Sequence, residues 1–260
     1  MTFVCYLNDP PSIALRLTSA FRENFWSGLP AVSGAFWKDK PAKMNLFKIR
    51  KLFFAIFRRR RMARFYATFR PAFHTRLLDI GGDPHTWIFE AQSCDPVPVT
   101  LVNLQFPNLV AFNNSRFIAV EGDATSLPFK DQSFDIAYSN SVIEHLTTWE
   151  RQQAFASEAR RVAKNLWIQT PARHFPIEPH LLTPFFQYLP KPVQLLLARH
   201  FTLWGLLSKP SATEVNNMIS EIRLLTLREM KRLFPDCRIL KERVLGLTKS
   251  YIAVRGSQRE

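Results

Sequence analysis

The sequence predicts an α/β chain built on a mostly parallel sheet with helices on both faces, and three observations carry the prediction. Leu77-Leu78-Asp79-Ile80-Gly81-Gly82 is an apolar run that stops at an acid and a glycine pair. Buried parallel strands read as unbroken apolar runs, and glycine permits a tight turn and close approach of a ligand to the backbone. Three more apolar runs follow, at 99–104, 117–121 and 134–139, delivering Asn103, Asp123 and Ser139 to their carboxyl ends. Open α/β sheets bind ligands at that edge, near the point where strand order reverses. The tail then reads as a helix at 226–234, stopped by Pro235, and two strands at 238–245 and 250–254.

Taken in order, residues 1–42 predict no element. Pro10-Pro11 and Gly28-Leu29-Pro30 interrupt them, Phe21, Phe25, Trp26, Phe36 and Trp37 follow no long period, and no signal-peptide pattern is present. Residues 43–70 predict a basic amphipathic helix, in which Lys48, Arg50, Lys51 and the run Arg58-Arg59-Arg60-Arg61 alternate with Leu46, Phe47, Ile49, Phe53, Phe57, Met62 and Phe65. Such a helix either packs its apolar stripe on its own domain with a solvated basic face, or lies on an anionic membrane surface. No apolar run is long enough to span a bilayer. Residues 71–260 form one domain on this reading. Thr147 and Glu150 make a capping-box pattern opening a helix with Phe155, Ala159 and Val162 on one face, and a fifth strand at 166–170 ends at Pro171. Residues 181–212, rich in Leu, Phe, Trp and Pro, divide into short helices.

Asp79-Ile80-Gly81-Gly82, then Asn103, then Asp123-Ala124, then Leu127-Pro128-Phe129 with Asp131-Gln132-Ser133-Phe134-Asp135, then Glu144-His145, in that order, resemble the class I S-adenosylmethionine-dependent methyltransferases. The type 11 subgroup, which includes quinone and small-molecule methyltransferases, is the nearest in pattern. The likeness is strong over 76–171, weaker through 255 and absent before the basic helix. It implies a Rossmann-like seven-stranded methyltransferase sheet with helices on both faces, an antiparallel edge hairpin and an acceptor lid at 181–212. It also implies S-adenosylmethionine as cofactor, with Asp79 at its amino end, Gly81 and Gly82 giving backbone approach, Asn103 at the ribose, Asp123 with Ala124 at the adenine, and Ser139 at the edge where cofactor and acceptor meet. The chain departs from the pattern in two places. Asn103 stands where the family has an acid, and Asp83 and His85 stand where later glycines fall. A chain that kept the fold and lost the cofactor, acting as a peripheral membrane or adaptor protein, is the alternative those departures leave.

The resemblance implies transfer of a methyl group to a small-molecule or lipid-like acceptor, and His145, Glu178 and His180 are the candidate catalytic residues because imidazoles and carboxylates can take a proton from a weakly acidic acceptor. Together with His174 they include familiar metal ligands, but their spacing matches no compact motif and no metal is expected. Cys5, Cys94 and Cys237 form no CxxC pair, which suits a reducing compartment. A cytoplasmic location is expected, peripheral at the membrane if the basic helix lies there. Thirty-five Lys plus Arg against 21 Asp plus Glu give a net charge of +14. That balance favours an anionic surface, and without a recognisable reading module nucleic acid is not an expected partner.

Overall fold

The computed structural model describes residues 45–82, 84–88, 97–106, 116–178, 180–181 and 183–256, with the backbone alone at 45–56, 85 and 88. Seven strands form one sheet: β1 (Leu77–Ile80), β2 (Val99–Asn103), β3 (Phe117–Glu121), β4 (Phe134–Asn140), β5 (Ala163–Pro171), β8 (Arg238–Val244) and β9 (Leu247–Arg255), in the order β3-β2-β1-β4-β5-β9-β8. The first five run parallel, and β9 and β8 are antiparallel to their neighbours. The order reverses between β1 and β4. Pairs such as Ile80↔Val102, Asn103↔Glu121 and Asn140↔Gln169 keep the strands in step, so Gly81, Asn103, Asp123 and Ser141 emerge along one edge. A separate ribbon of β6 (Ile177–Glu178) and β7 (Thr183–Pro184) lies past the end of β5.

Both faces of the sheet are covered. Leu78, Ile80, Ala137 and Leu166 pack with Phe155 and Ala159 of the helix Trp149–Val162 and with Met230 and Leu233 of the helix Leu227–Leu233. Leu77, Leu101, Tyr138 and Trp167 face the other way, where Met62 and Phe65 of the first described helix, Asn45–Phe69, join them. In chain order the helices are α1 (Asn45–Phe69), α2 (Pro84–Ile88), α3 (Trp149–Val162), α4 (Lys191–Phe201), α5 (Leu203–Ser208), α6 (Ala212–Ser220) and α7 (Leu227–Leu233). The Phe65 ring lies 5.3 Å from that of Tyr138, 5.8 Å from Trp167 and 5.9 Å from Trp87, all edge to face. Over 57–69, therefore, α1 spends its apolar stripe on its own domain, Arg61 is buried with it, and Arg58, Arg59 and Arg60 stay exposed. Among the described residues no helix is long and apolar enough to cross a membrane.

Leu181 and Phe186 share with Ala198, Trp204, Val215 and Ile219 of α4, α5 and α6 a small core that runs past the 181–212 bounds expected of a lid. Gly205 lets α5 meet α4, since a Cβ there would lie 2.1 Å from the Ala198 carbonyl oxygen. Three element ends differ from the sequence reading. Thr148, not Thr147, caps α3 by accepting from Arg151 N–H, while Thr147 takes a left-handed φ of 42°. β5 starts at Ala163 because Ala163 and polar Asn165 pair with Phe134 and Ile136 of β4. The last hairpin is continuous through Leu245 and Gly246, whose φ values of 48° and 81° suit a twisted two-residue turn, so β9 begins at Leu247.

Candidate active site

On the donor side, the turn after β1 depends on its glycines. Gly81 has φ +74°, and a Cβ there would meet Val142 Cγ2 at 2.5 Å; one on Gly82 would meet the Asp79 carboxylate at 2.1 Å. Asp79 is buried and its Oδ2 accepts from Trp87 Nε1 at 2.8 Å. Asn103 donates its amide to the Gly82 carbonyl at 2.7 Å. This explains an amide where a carboxylate was expected, because a carboxylate could not donate that bond and the side-chain oxygen still remains for a ligand. Asp123 Oδ1 accepts from the N–H and hydroxyl of Thr125, both at 2.8 Å, and its Oδ2 from Arg151 at 3.0 Å. The Thr125 backbone N–H and then Arg151 hold this carboxyl below the usual range. Ala124 rests against the core. Ser139 is fully buried and donates to the Ile80 carbonyl at 2.8 Å, tying β4 to β1 inside the sheet. Asp79, Gly81, Gly82 and Asn103 thus stand together, with Asp123 on the neighbouring turn; Asp83 lies outside the described residues. Pro84 opens α2 as its missing N–H allows.

The acceptor side gathers groups that are far apart in sequence. β4 runs into a single 3-10 turn, Ile143–His145, which buries Glu144 completely. Its Oε2 accepts from Thr170 at 2.9 Å while Oε1 has no hydrogen-bond partner among the described residues, and burial pushes the carboxyl above its usual range. Burial, reinforced by His180, lowers the His145 imidazole to about 4. Glu178 Oε1 meets His180 Nδ1 at 2.8 Å and its Oε2 accepts the Leu181 N–H at 2.5 Å. The His145 and His180 rings cross edge to face at 5.2 Å. All three predicted catalytic residues therefore converge, and Glu144, which sequence reasoning passed over, joins them. His174 does not; it stacks on Tyr188 with ring centroids 6.4 Å apart.

Behind this edge lies a network that the sequence reading missed. Arg61 Nε and Nη2 donate to Glu242 at 3.0 and 2.7 Å, and Nη1 donates to Gln169 at 3.0 Å and to Asn140. Ser250 donates to Glu242 as well, and Lys249 Nζ lies over the Phe57 ring at 4.4 Å, its ammonium lowered to about 8 by burial and by Arg61. A signal was present: Arg61 and Met62 share a helical face with Phe65 and Phe69. Beside β6 a cavity of about 240 Å³ opens beneath the lid, lined by Glu178, Leu181, Phe186, Leu189 and Met218, with Arg173 and Lys191 also on its wall.

Residues 84–166 match the family described as a methyltransferase domain. Among solved structures the chain is similar to the YcgJ protein of Bacillus subtilis, at 19% identity over 71% of each chain with a TM-score of 0.47. It is also similar to a SAM-dependent methyltransferase of Methanosarcina mazei, at 16% identity over 69% of this chain and 91% of that one with a TM-score of 0.45. A SAM-dependent methyltransferase of Aquifex aeolicus is a third, at 12% identity over 75% and 87% with a TM-score of 0.42. No curated protein matches the sequence. Residues 84–166 thus carry a methyltransferase domain, set in a seven-stranded α/β sheet of order β3-β2-β1-β4-β5-β9-β8. The glycine cradle at Gly81 and Gly82, with the acceptors on β1, β2 and the turn after β3, fits a molecule of the S-adenosylmethionine kind.

Proposed function

We propose that the enzyme methylates a small-molecule or lipid-like acceptor held beneath the lid, and that the acceptor's proton is taken at the cluster of His145, Glu178 and His180. The observation that carries this reading is the convergence of that cluster beside the carboxyl ends of β4 and β5, with Glu178 lining the cavity. The cofactor supplies a methyl group on a positively charged sulfur. Asp79 would hold its amino end, Gly81 and Gly82 would give backbone approach, Asn103 would serve the ribose, and Asp123 with the Ala124 N–H the adenine. Glu178 anchors the His180 ring by its Nδ1 and so presents Nε2, while His145 stays neutral at neutral pH. The protein then needs to align the acceptor, exclude water and remove one proton.

Support for a lipid-like acceptor comes from the lid. Leu196 is 74% and Phe201 70% exposed, with Phe185 and Leu206 also outward. Residues 179–213 contain no acid but hold Lys191, Arg199 and Lys209. Apolar side chains beside cations suit peripheral binding to an anionic membrane. Calorimetric titration with S-adenosylhomocysteine, followed by mass-spectrometric detection of methylated products from lipid and small-molecule extracts, tests the reading. Binding followed by a 14-dalton gain on an extract component is the expected result; folded protein that binds no S-adenosylhomocysteine would overturn it.

A further inference from the structure

We infer that Glu144, His145 and His180 form a site for a divalent transition-metal ion of the zinc class, braced from outside by Glu178. One ligand atom from each of the three lies within 4.8 Å of the others. Two imidazole nitrogens and one carboxylate oxygen are a donor set that suits zinc, and they leave a coordination position open. Tetrahedral ligands at about 2.0–2.1 Å from the ion stand about 3.4 Å apart, so the group closes on an ion by contracting by at most about 1.4 Å, within reach of ring rotation.

Two further observations point to a cation here. Glu144 is fully buried, and after Thr170 takes one oxygen the other has no hydrogen-bond partner among the described residues. A buried carboxylate oxygen without a donor is costly, and an ion would satisfy it. Glu178 then occupies the place of an outer carboxylate: it grips His180 through Nδ1 at 2.8 Å and is itself held by the Leu181 N–H, so that Nε2 is the nitrogen that would face an ion. Metal-binding histidines are oriented by a carboxylate on the far nitrogen in this way. Sequence spacing hid the site because His145 and His180 lie on separate loops that only the fold brings together.

The inference rests on the reading that the acceptor meets the cofactor at this edge; with His145 and His180 on the ion, its open position would polarise an acceptor oxygen and ease release of the proton to water, in place of direct capture by the imidazoles. The test uses the full chain, freed of metal with a chelator and titrated with Co²⁺ while visible absorption is followed, then with Zn²⁺ in competition. One equivalent of Co²⁺ should bind with a visible band and be displaced by Zn²⁺. Glu144→Gln and His180→Gln should each weaken binding about a hundredfold, Glu178→Gln about ten- to a hundredfold, and His174→Gln not at all. Melting temperature and S-adenosylhomocysteine affinity, read on every variant, separate a lost site from a lost fold. No stoichiometric Co²⁺ uptake by the wild type, or unchanged uptake by folded Glu144→Gln and His180→Gln, would sink the metal site and leave the methyltransferase reading intact. Normal uptake without S-adenosylhomocysteine binding would do the reverse.

Discussion

The two halves of the sheet's carboxyl edge are built on opposite principles. On the donor half, Asp79, Asn103 and Asp123 already have protein partners in Trp87, Gly82 and the pair Thr125 and Arg151. A ligand there meets groups fixed in place and a backbone laid bare by Gly81 and Gly82. On the acceptor half, Glu144 keeps an unmatched oxygen and His145 is buried against its natural protonation. Fixed acceptors bind a constant molecule, whereas strained and incompletely satisfied groups mark the place where something must change or arrive. On the proposed function, the contrast gives recognition to one half and chemistry to the other.

The largest expected effect is on the scaffold of the acceptor half. Arg61→Ala would leave Glu242 buried beside Asn140 and Gln169 without its counter-charge, and breaking such a pair costs about 3–5 kcal/mol. Urea denaturation should show that loss, and a variant as stable as wild type would mean that the acceptor edge does not depend on α1. Next in size, His180→Ala and Glu178→Gln should lower single-turnover methyl transfer about a hundredfold while S-adenosylhomocysteine still binds normally. Equal losses of binding and transfer would erase the division between the halves.

A smaller effect is expected at the donor half. Asp123→Ala leaves the adenine amino group without an acceptor, at a cost of about 1–3 kcal/mol or roughly tenfold in affinity. Because Thr125 and Arg151 hold this carboxyl below the usual range, wild-type affinity should stay level from neutral to mildly acidic pH, read by calorimetry. An affinity that climbs or falls through that window would point to a titrating group on the half described as fixed. Smallest of all, Arg199→Gln on the lid should weaken binding to anionic vesicles by about 1 kcal/mol, with added salt mimicking the change. Vesicle binding that ignores both salt and Arg199 would remove the membrane from the acceptor's route.

Much of this contrast was legible in the chain, but unevenly. The donor half could be read because its signals are local: Asp79 with Gly81 and Gly82 is one turn, and Asp123 with Ala124 another. The strands showed for the same reason, since five apolar runs in register need no distant partner to be recognised. The acceptor half depends on contacts between loops. His145, Glu178 and His180 could be named from residue type and position, but Glu144, though part of the motif Glu144-His145, had no role until the fold removed its solvent. Trp87 escaped notice because an indole eight positions past an aspartate gives no sign of donating to it. Arg61 was masked by Arg58, Arg59 and Arg60, with only the helical phase of Met62 and Phe65 to set it apart. Leu245-Gly246 lacks the polar residue that usually announces a hairpin, so β9 read three residues short.

Arg61 and Glu242 are separated by 181 positions. On the ribosome, α1 is made early and its arginine must wait for nearly the whole remaining chain before its counter-ion exists. Until β8 and β9 emerge and close the sheet, the helix has neither Glu242 nor the Ile252 and Val254 that share its side of the sheet, and its apolar stripe lacks part of its cover beside a run of cations. The nascent protein is thus a basic amphipathic segment first and an enzyme last. A chain cut off before residue 238 should be held by chaperones or by anionic lipid that the finished protein releases.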